Sequence, residues 1–341
     1  MPHTFDLLVI GDANPDIVLG PLDAPLAFGQ REQLVDTGLL TLGGSAAIMA
    51  CGAARLGLKV AFAGRVGDDD AGRFIRTALD DRGVDTDALR VDPVLPTPLT
   101  VVVTRGDGDR TILTSPGTLS ATGADDIPEA LLTSSRHVHA ASYFLLPKLA
   151  DALPELLAMA RAHSATTSLD TNDDPSGTWA PGRIDAALAV TDFLLPNAQE
   201  ALALAAATAP PDSTEATKAT GSTDATVSLA APGSLEAAAG ALAARGPRVV
   251  VKNGADGALV HDGRTLLHTP GIPARPLDTV GAGDSFDAGF IAAFLRGLPT
   301  AEALEFAAAC GALSTRAHGG TAAQPTWDEA RTALARNGKN L

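Results

Sequence analysis

The stretch Asp278-Thr279-Val280-Gly281-Ala282-Gly283-Asp284-Ser285-Phe286-Asp287-Ala288-Gly289-Phe290 carries the most chemistry in this chain. Small residues at 281–283 let a ligand approach the backbone closely. From Asp284 onward, Phe286, Phe290, Ala293 and Phe294 fall at helical spacing. The pattern predicts that Gly281, Ala282 and Gly283 lie at a helix N-terminus, with free N–H groups and the positive dipole end facing outward. Such a turn suits a phosphate, or the charge that develops on a phosphoryl group in transfer. Asp284 adds a carboxylate able to take a proton from a nucleophile. Taken alone, the glycine–alanine turn fits equally a tight bend closed by an aspartate cap.

Outward from this stretch, short β-branched or leucine-rich runs recur, bounded by Gly, Asp or Pro. They include Leu7–Gly11, Val60–Val66, His137–Ser142, Thr166–Asp170, Phe193–Pro196, Arg248–Lys252 and Ala258–His261. Alanine-rich segments with helical spacing lie between them, among them Ser45–Leu58, Ala71–Arg82, Lys148–His163, Ser234–Arg245, Asp284–Arg296 and Thr300–Thr315. Strand alternating with helix predicts an α/β fold on a mainly parallel sheet. The rhythm breaks between Ile17 and Leu42. It breaks again where Leu99–Thr104 and Thr111–Thr114 flank Gly106-Asp107-Gly108-Asp109, a hairpin pattern. Strands without crossover helices suggest a small subdomain. The Ala/Thr/Ser/Pro-rich segment 205–232 is expected to be a flexible surface insertion.

Composition narrows the function classes. The chain has 341 residues, 45% of them apolar, enough for a buried core. Lys+Arg is 25 against Asp+Glu 40, and a formal charge of −15 disfavours nucleic acid and anionic membranes as partners. Cys51 and Cys310 are the only cysteines, so neither a disulfide framework nor a C-x-x-C zinc site is present. The first ten residues lack a signal-peptide pattern, and no apolar run approaches a membrane span; a cytoplasmic protein is expected. There is no G-x-x-x-x-G-K-[ST], which excludes a P-loop. Gly11-Asp12-Ala13-Asn14 stands where a dinucleotide fold would place G-x-G-x-x-G. His137 and His139 share one strand face without a third ligand and are expected to be ordinary strand residues.

Several ordered motifs resemble the ribokinase-like carbohydrate kinases, the phosphofructokinase-B family. Asp278 to Asp284 matches D-T-x-G-A-G-D at every fixed position. Gly11 to Asp16 is similar to the opening G-x-x-N-x-D, and Leu42-Gly43-Gly44-Ser45-Ala46-Ala47 to the N-terminal Gly-Gly signature. Gly64 to Gly72 resembles G-x-V-G-x-D-x-x-G, and Asn197-Ala198-Gln199-Glu200 resembles N-x-x-E. The resemblance implies a three-layer α/β/α sandwich, a single domain over 1–341, with a small β lid built from about 13–40 and 93–118. It implies transfer of the γ-phosphoryl group of ATP to a hydroxyl of a sugar or related compound. Asp284 would be the general base, and the amides of Gly281, Ala282 and Gly283 the anion hole. Mg²⁺ would be oriented through water by Glu200 and Asn197, although that spacing alone fits a capping box.

By the same resemblance, Asn14, Asp16, Gly43, Gly44 and Ser45 would bind substrate. Arg110, at the hairpin, would pair with an anionic group on it or stay solvated. Lys252, Gly254 and Gly257 would line the nucleotide site, and Ala308 and Gly311 would leave room for adenine. Asp278 and the Val280 carbonyl match positions that hold a monovalent cation such as K⁺ in some relatives. The chain departs from the pattern at Ile48, where relatives place a substrate-binding Asn. An apolar side chain there puts the usual ribose or fructose contacts in doubt and leaves a nucleoside kinase open. A non-catalytic sensor is a third reading, opposed by the presence of Asp284 and the anion-hole turn. Phe28, the one aromatic residue in the lid segments, favours sugars over nucleosides. Lid pairing would give a homodimer.

Overall fold

Strand β1 (Phe5–Ile10) is apolar on both faces: Leu7 and Val9 enter one core, Leu8 and Ile10 another. A strand of this kind needs a layer on either side. The computed structural model describes residues 3–106, 109–179, 182–207 and 233–338. After β1 come β2 (Asn14–Gly20), β3 (Thr37–Gly43), α1 (Ser45–Arg55), β4 (Val60–Gly67), α2 (Asp70–Asp80) and β5 (Leu89–Asp92). Then follow β6 (Leu99–Thr104), β7 (Arg110–Ser115), α3 (Glu129–Ser134), β8 (Ser135–Ala141), α4 (Pro147–Ala162) and β9 (Thr166–Asp170). The remainder is α5 (Ile184–Leu188), β10 (Phe193–Leu194), α6 (Ala198–Ala207), α7 (Leu235–Ala243), β11 (Arg248–Lys252), β12 (Ala258–His261), β13 (Leu266–Thr269), α8 (Ala282–Leu295), α9 (Thr300–Ser314) and α10 (Trp327–Arg336).

Nine strands form the main sheet in the order β13-β12-β11-β10-β9-β8-β1-β4-β5. Pairing is parallel from β11 to β5 and antiparallel at β11–β12 and β12–β13. Helices α1, α2, α8, α9 and α10 pack on one face, and α3, α4, α5, α6 and α7 on the other. This is the expected α/β/α sandwich. A second sheet, β3-β2-β6-β7, pairs Asn14 with Gly43 at one end and Thr104 with Arg110 at the other. Its strand β7 is exposed throughout, and Leu40, Ile112 and Leu113 are each more than half exposed.

Residues 205–207 belong to α6, so the segment read as an insertion starts too early; 208–232 lie outside the described residues. So do 107 and 108 of the hairpin turn. His137 and His139 are wholly buried and share the Ser168 hydroxyl, at 2.7 and 2.8 Å, as strand residues would. Cys51 in α1 and Cys310 in α9 are both free and buried. Among the described residues, no helix is long and apolar enough to cross a membrane.

Candidate active site

The carboxyl ends of β1, β8, β9, β10 and β11 open toward the start of α8, the place where open α/β sheets hold ligands. Gly281 caps α8 in a left-handed conformation (φ 72°), and a Cβ there would fall 2.6 Å from Gly320 Cα. Only glycine satisfies both demands. The amide of Ala282 reaches back to the Thr279 carbonyl at 3.3 Å. Those of Gly283 and Asp284 have no hydrogen-bond partner among the described residues. They join a cleft of about 670 Å³, lined also by Asp170, Asn172, Glu200 and Lys252.

Asp284 and Asp287 are three residues apart, so they project from one side of α8. Their carboxylates lie within 4.8 Å of each other and of Asp170 at the end of β9. Lys252, at the end of β11, enters this cluster: its Nζ is 2.6 Å from Asp170 Oδ2 and 3.0 Å from Asp287 Oδ2. The acids are therefore matched by an ammonium. Burial opposes charge on Lys252, but Asp170, Asp287 and Glu200 outweigh it and hold the amine protonated. Burial likewise opposes charge on Asp170, yet Lys252 keeps it ionised, whereas burial drives Asp287 well above the carboxylate range. Asp284 is pushed up to about 7, first by burial and then by Asp170 and Asp12, against the Ser45 hydrogen bond and Lys252.

The neighbouring groups are pinned by local geometry. Asp12 accepts the Ser45 and Ala46 amides at 3.1 and 3.0 Å and so caps α1 from outside it. Asn197 and Glu200 form a reciprocal capping box: the Asn197 amide donates to Glu200 Oε2 at 2.8 Å, and the Glu200 amide to Asn197 Oδ1 at 3.0 Å. Burial and Asp170 push Glu200 up to about 7. Asp16 lies across the end of β3, where a Cβ on Gly43 would fall 2.0 Å from its Oδ1. Asn14 donates to Asp16 Oδ1 at 2.8 Å, so its amide holds the carboxylate. Burial and the nearby Asp12 push Asp16 to about 7. Asp278 accepts the Val280 and Gly319 amides, both at 2.9 Å, tying the turn before α8 to the 316–321 segment.

Residues 4–327 match the pfkB family carbohydrate kinase model. The chain belongs to the pfkB family of carbohydrate kinases. Membership makes it an ATP-dependent phosphotransferase. It is 30% identical over 322 residues to the ATP-dependent ribose-1-phosphate kinase of Halopiger xanaduensis, covering 94% of this chain and 95% of that protein. It is 28% identical to the ribokinase of Bacillus subtilis, covering 96% and 99%. The structure of Arabidopsis thaliana ribokinase complexed with ribose and ATP superposes with a TM-score of 0.77 at 25% identity, covering 98% and 99%.

On this kinase fold the cleft gathers most of the residues singled out by sequence: Ala282, Gly283, Asp284, Arg110, Asn197, Glu200, Lys252, Gly254, Gly257, Ala308 and Gly311 all line it. Gly257 also serves the β11–β12 turn, where a Cβ would strike the Thr269 carbonyl at 2.0 Å. Asn14, Asp16, Gly43, Gly44 and Ser45 sit beside the cleft, linked to it by Ser45, whose hydroxyl meets Asp284. Sequence reasoning gave no role to Asp12 or Asp287 and placed Asp170 only at the end of a strand. The i, i+3 spacing of Asp284 and Asp287 was a usable signal. It also missed the wall built by Ile272, Pro273 and Pro276. Ile48 is buried against the Gly281 and Gly320 backbone and does not line the cleft.

Proposed function

We propose that this kinase moves the γ-phosphoryl group of ATP onto a hydroxyl of a small carbohydrate, with Asp284 as general base and the first amides of α8 as the anion hole. The observation that carries this is the placement of Asp284 in the cleft wall, beside amides without partners at a helix start. A base near neutrality suits the task. Asp284 takes the proton of the acceptor hydroxyl, whose oxygen attacks the γ-phosphorus. The bond from that phosphorus to the bridging oxygen breaks, and ADP leaves. The amides meet the charge on the phosphoryl oxygens, and Lys252 adds positive charge next to Gly283.

Glu200 and Asn197 fit Mg²⁺ held through water, because their side chains already bind each other and offer only remaining lone pairs. The ion supplies neutralisation of phosphate charge when bound. Asp16, fixed by Asn14, would accept hydroxyls of the sugar. Arg110 stands at the cleft mouth, 3.3 Å from the Thr279 hydroxyl. This favours an acceptor bearing its own anionic group, in line with the name of the Halopiger relative. Closure of the exposed second sheet would exclude water.

Asp284→Asn should retain ATP binding and reduce turnover at least about 10²-fold in a coupled assay with sugars and sugar phosphates as acceptors. Parental turnover would remove Asp284 from the role. Pairing of Leu40, Ile112 and Leu113 between copies would give a homodimer, decided by mass in solution. A K⁺ contact at Asp278 and the Val280 carbonyl is decided by turnover with and without the ion. A cytoplasmic location, where ATP is supplied, completes the reading and is checked by fractionation.

A further inference from the structure

We propose that Ser45 is the positioning residue of Asp284, holding one carboxylate oxygen so that the other faces the acceptor hydroxyl; this rests on Asp284 being the base. Ser142 follows β8 and Asn172 follows β9, and both are left-handed, at φ 59° and 54°. Non-glycine residues hold that conformation where surrounding structure enforces it, often at functional sites. Here the two bends are clipped together: the Ser142 backbone N–H donates to Asn172 Oδ1 at 2.7 Å.

A backbone N–H can only donate, and this sets the direction of everything beyond it. With Oδ1 committed to Ser142, the other end of the Asn172 amide is Nδ2. It donates to Ser45 Oγ at 3.0 Å. The Ser45 hydroxyl has a single proton, which is left for Asp284 Oδ1 at 2.5 Å. Main chain thus dictates which way three side chains point. Among the described residues, no other side chain hydrogen-bonds Asp284. The titratable groups around it are Lys252 from β11, Asp170 from β9, Asp12 after β1 and Asp287 one turn along α8. These act through space and do not orient the carboxylate.

A donor on the ionised form lowers a carboxylate's pKa, so Ser45 opposes the burial that raises Asp284. The test needs no acceptor substrate. Protein labelled with ¹³C at aspartate Cγ is titrated over about pH 5 to 9, and the Asp284 resonance is assigned by its loss in Asp284→Asn. The parent should titrate near 7. Ser45→Ala should move the midpoint up by about one pH unit, while Ser45→Thr, which keeps the hydroxyl, should restore it. Asn172→Gly, which tolerates the left-handed bend, should produce part of the same shift and add nothing in the Ser45→Ala background. A Ser45→Ala midpoint within about 0.2 units of the parent overturns the proposal, as does full additivity of the two changes. Because the titration proceeds without turnover, its result is separate from that of the base assignment, which Asp284→Asn kinetics decide.

Discussion

The two halves of the cleft are built differently. Where we propose phosphoryl transfer, Lys252 pairs with Asp170 and Asp287 beside Asp284, with the α1–α8–α9 core directly behind. Where we propose that the acceptor binds, Asp16 and Arg110 ride on a four-stranded sheet whose outer strand β7 is exposed along its whole length. The first half has packed layers behind it; the second leaves its outer strand to solvent. On the proposed reading, the chemistry sits on the packed main sheet and recognition of the acceptor on the more exposed second sheet.

The comparison breaks most visibly at Lys252. Lys252→Met leaves Asp170 buried and unmatched and should lower unfolding free energy by about 3–5 kcal/mol in denaturant titrations. The sign with pH follows from Asp170. Lys252 favours its ionised form in the folded state, so the deficit is present above about pH 4 and fades as acid protonates Asp170. An equal deficit at low pH would mean packing, not charge, is what the lysine supplies. On the other side, Asp16→Ala should raise KM for the acceptor by about 10- to 100-fold, the loss of one or two bonds to a charged group, with KM for ATP unchanged. Arg110→Ala should be the mildest, about tenfold in acceptor KM with kcat and melting temperature unmoved, since the side chain is exposed. A strongly destabilised Arg110→Ala would show that the second sheet is held as tightly as the first.

What was legible in the sequence followed distance along the chain. The start of α8 could be read because Gly281 to Asp287 is one contiguous run whose spacing is its geometry. The Asn197–Glu200 capping box is equally local. Lys252 was placed at the nucleotide site by resemblance alone; its ion pairs with Asp170 and Asp287, 82 and 35 residues away, follow no local pattern. The Ser45–Asp284 bond spans 239 residues, and no local pattern announces it. Strands β2 and β3 were passed over for a related reason. Pro15 interrupts the first, and the second is mostly exposed, so neither shows the apolar alternation that marks a strand.

The two cysteines give the well-packed half its own alarm. Cys51 and Cys310 are shut inside α1 and α9, and burial pushes the Cys51 thiol up to about 12. Thiolate is the reactive form. A colorimetric disulfide reagent would therefore stay silent on the folded protein and would colour only when the helices themselves come apart.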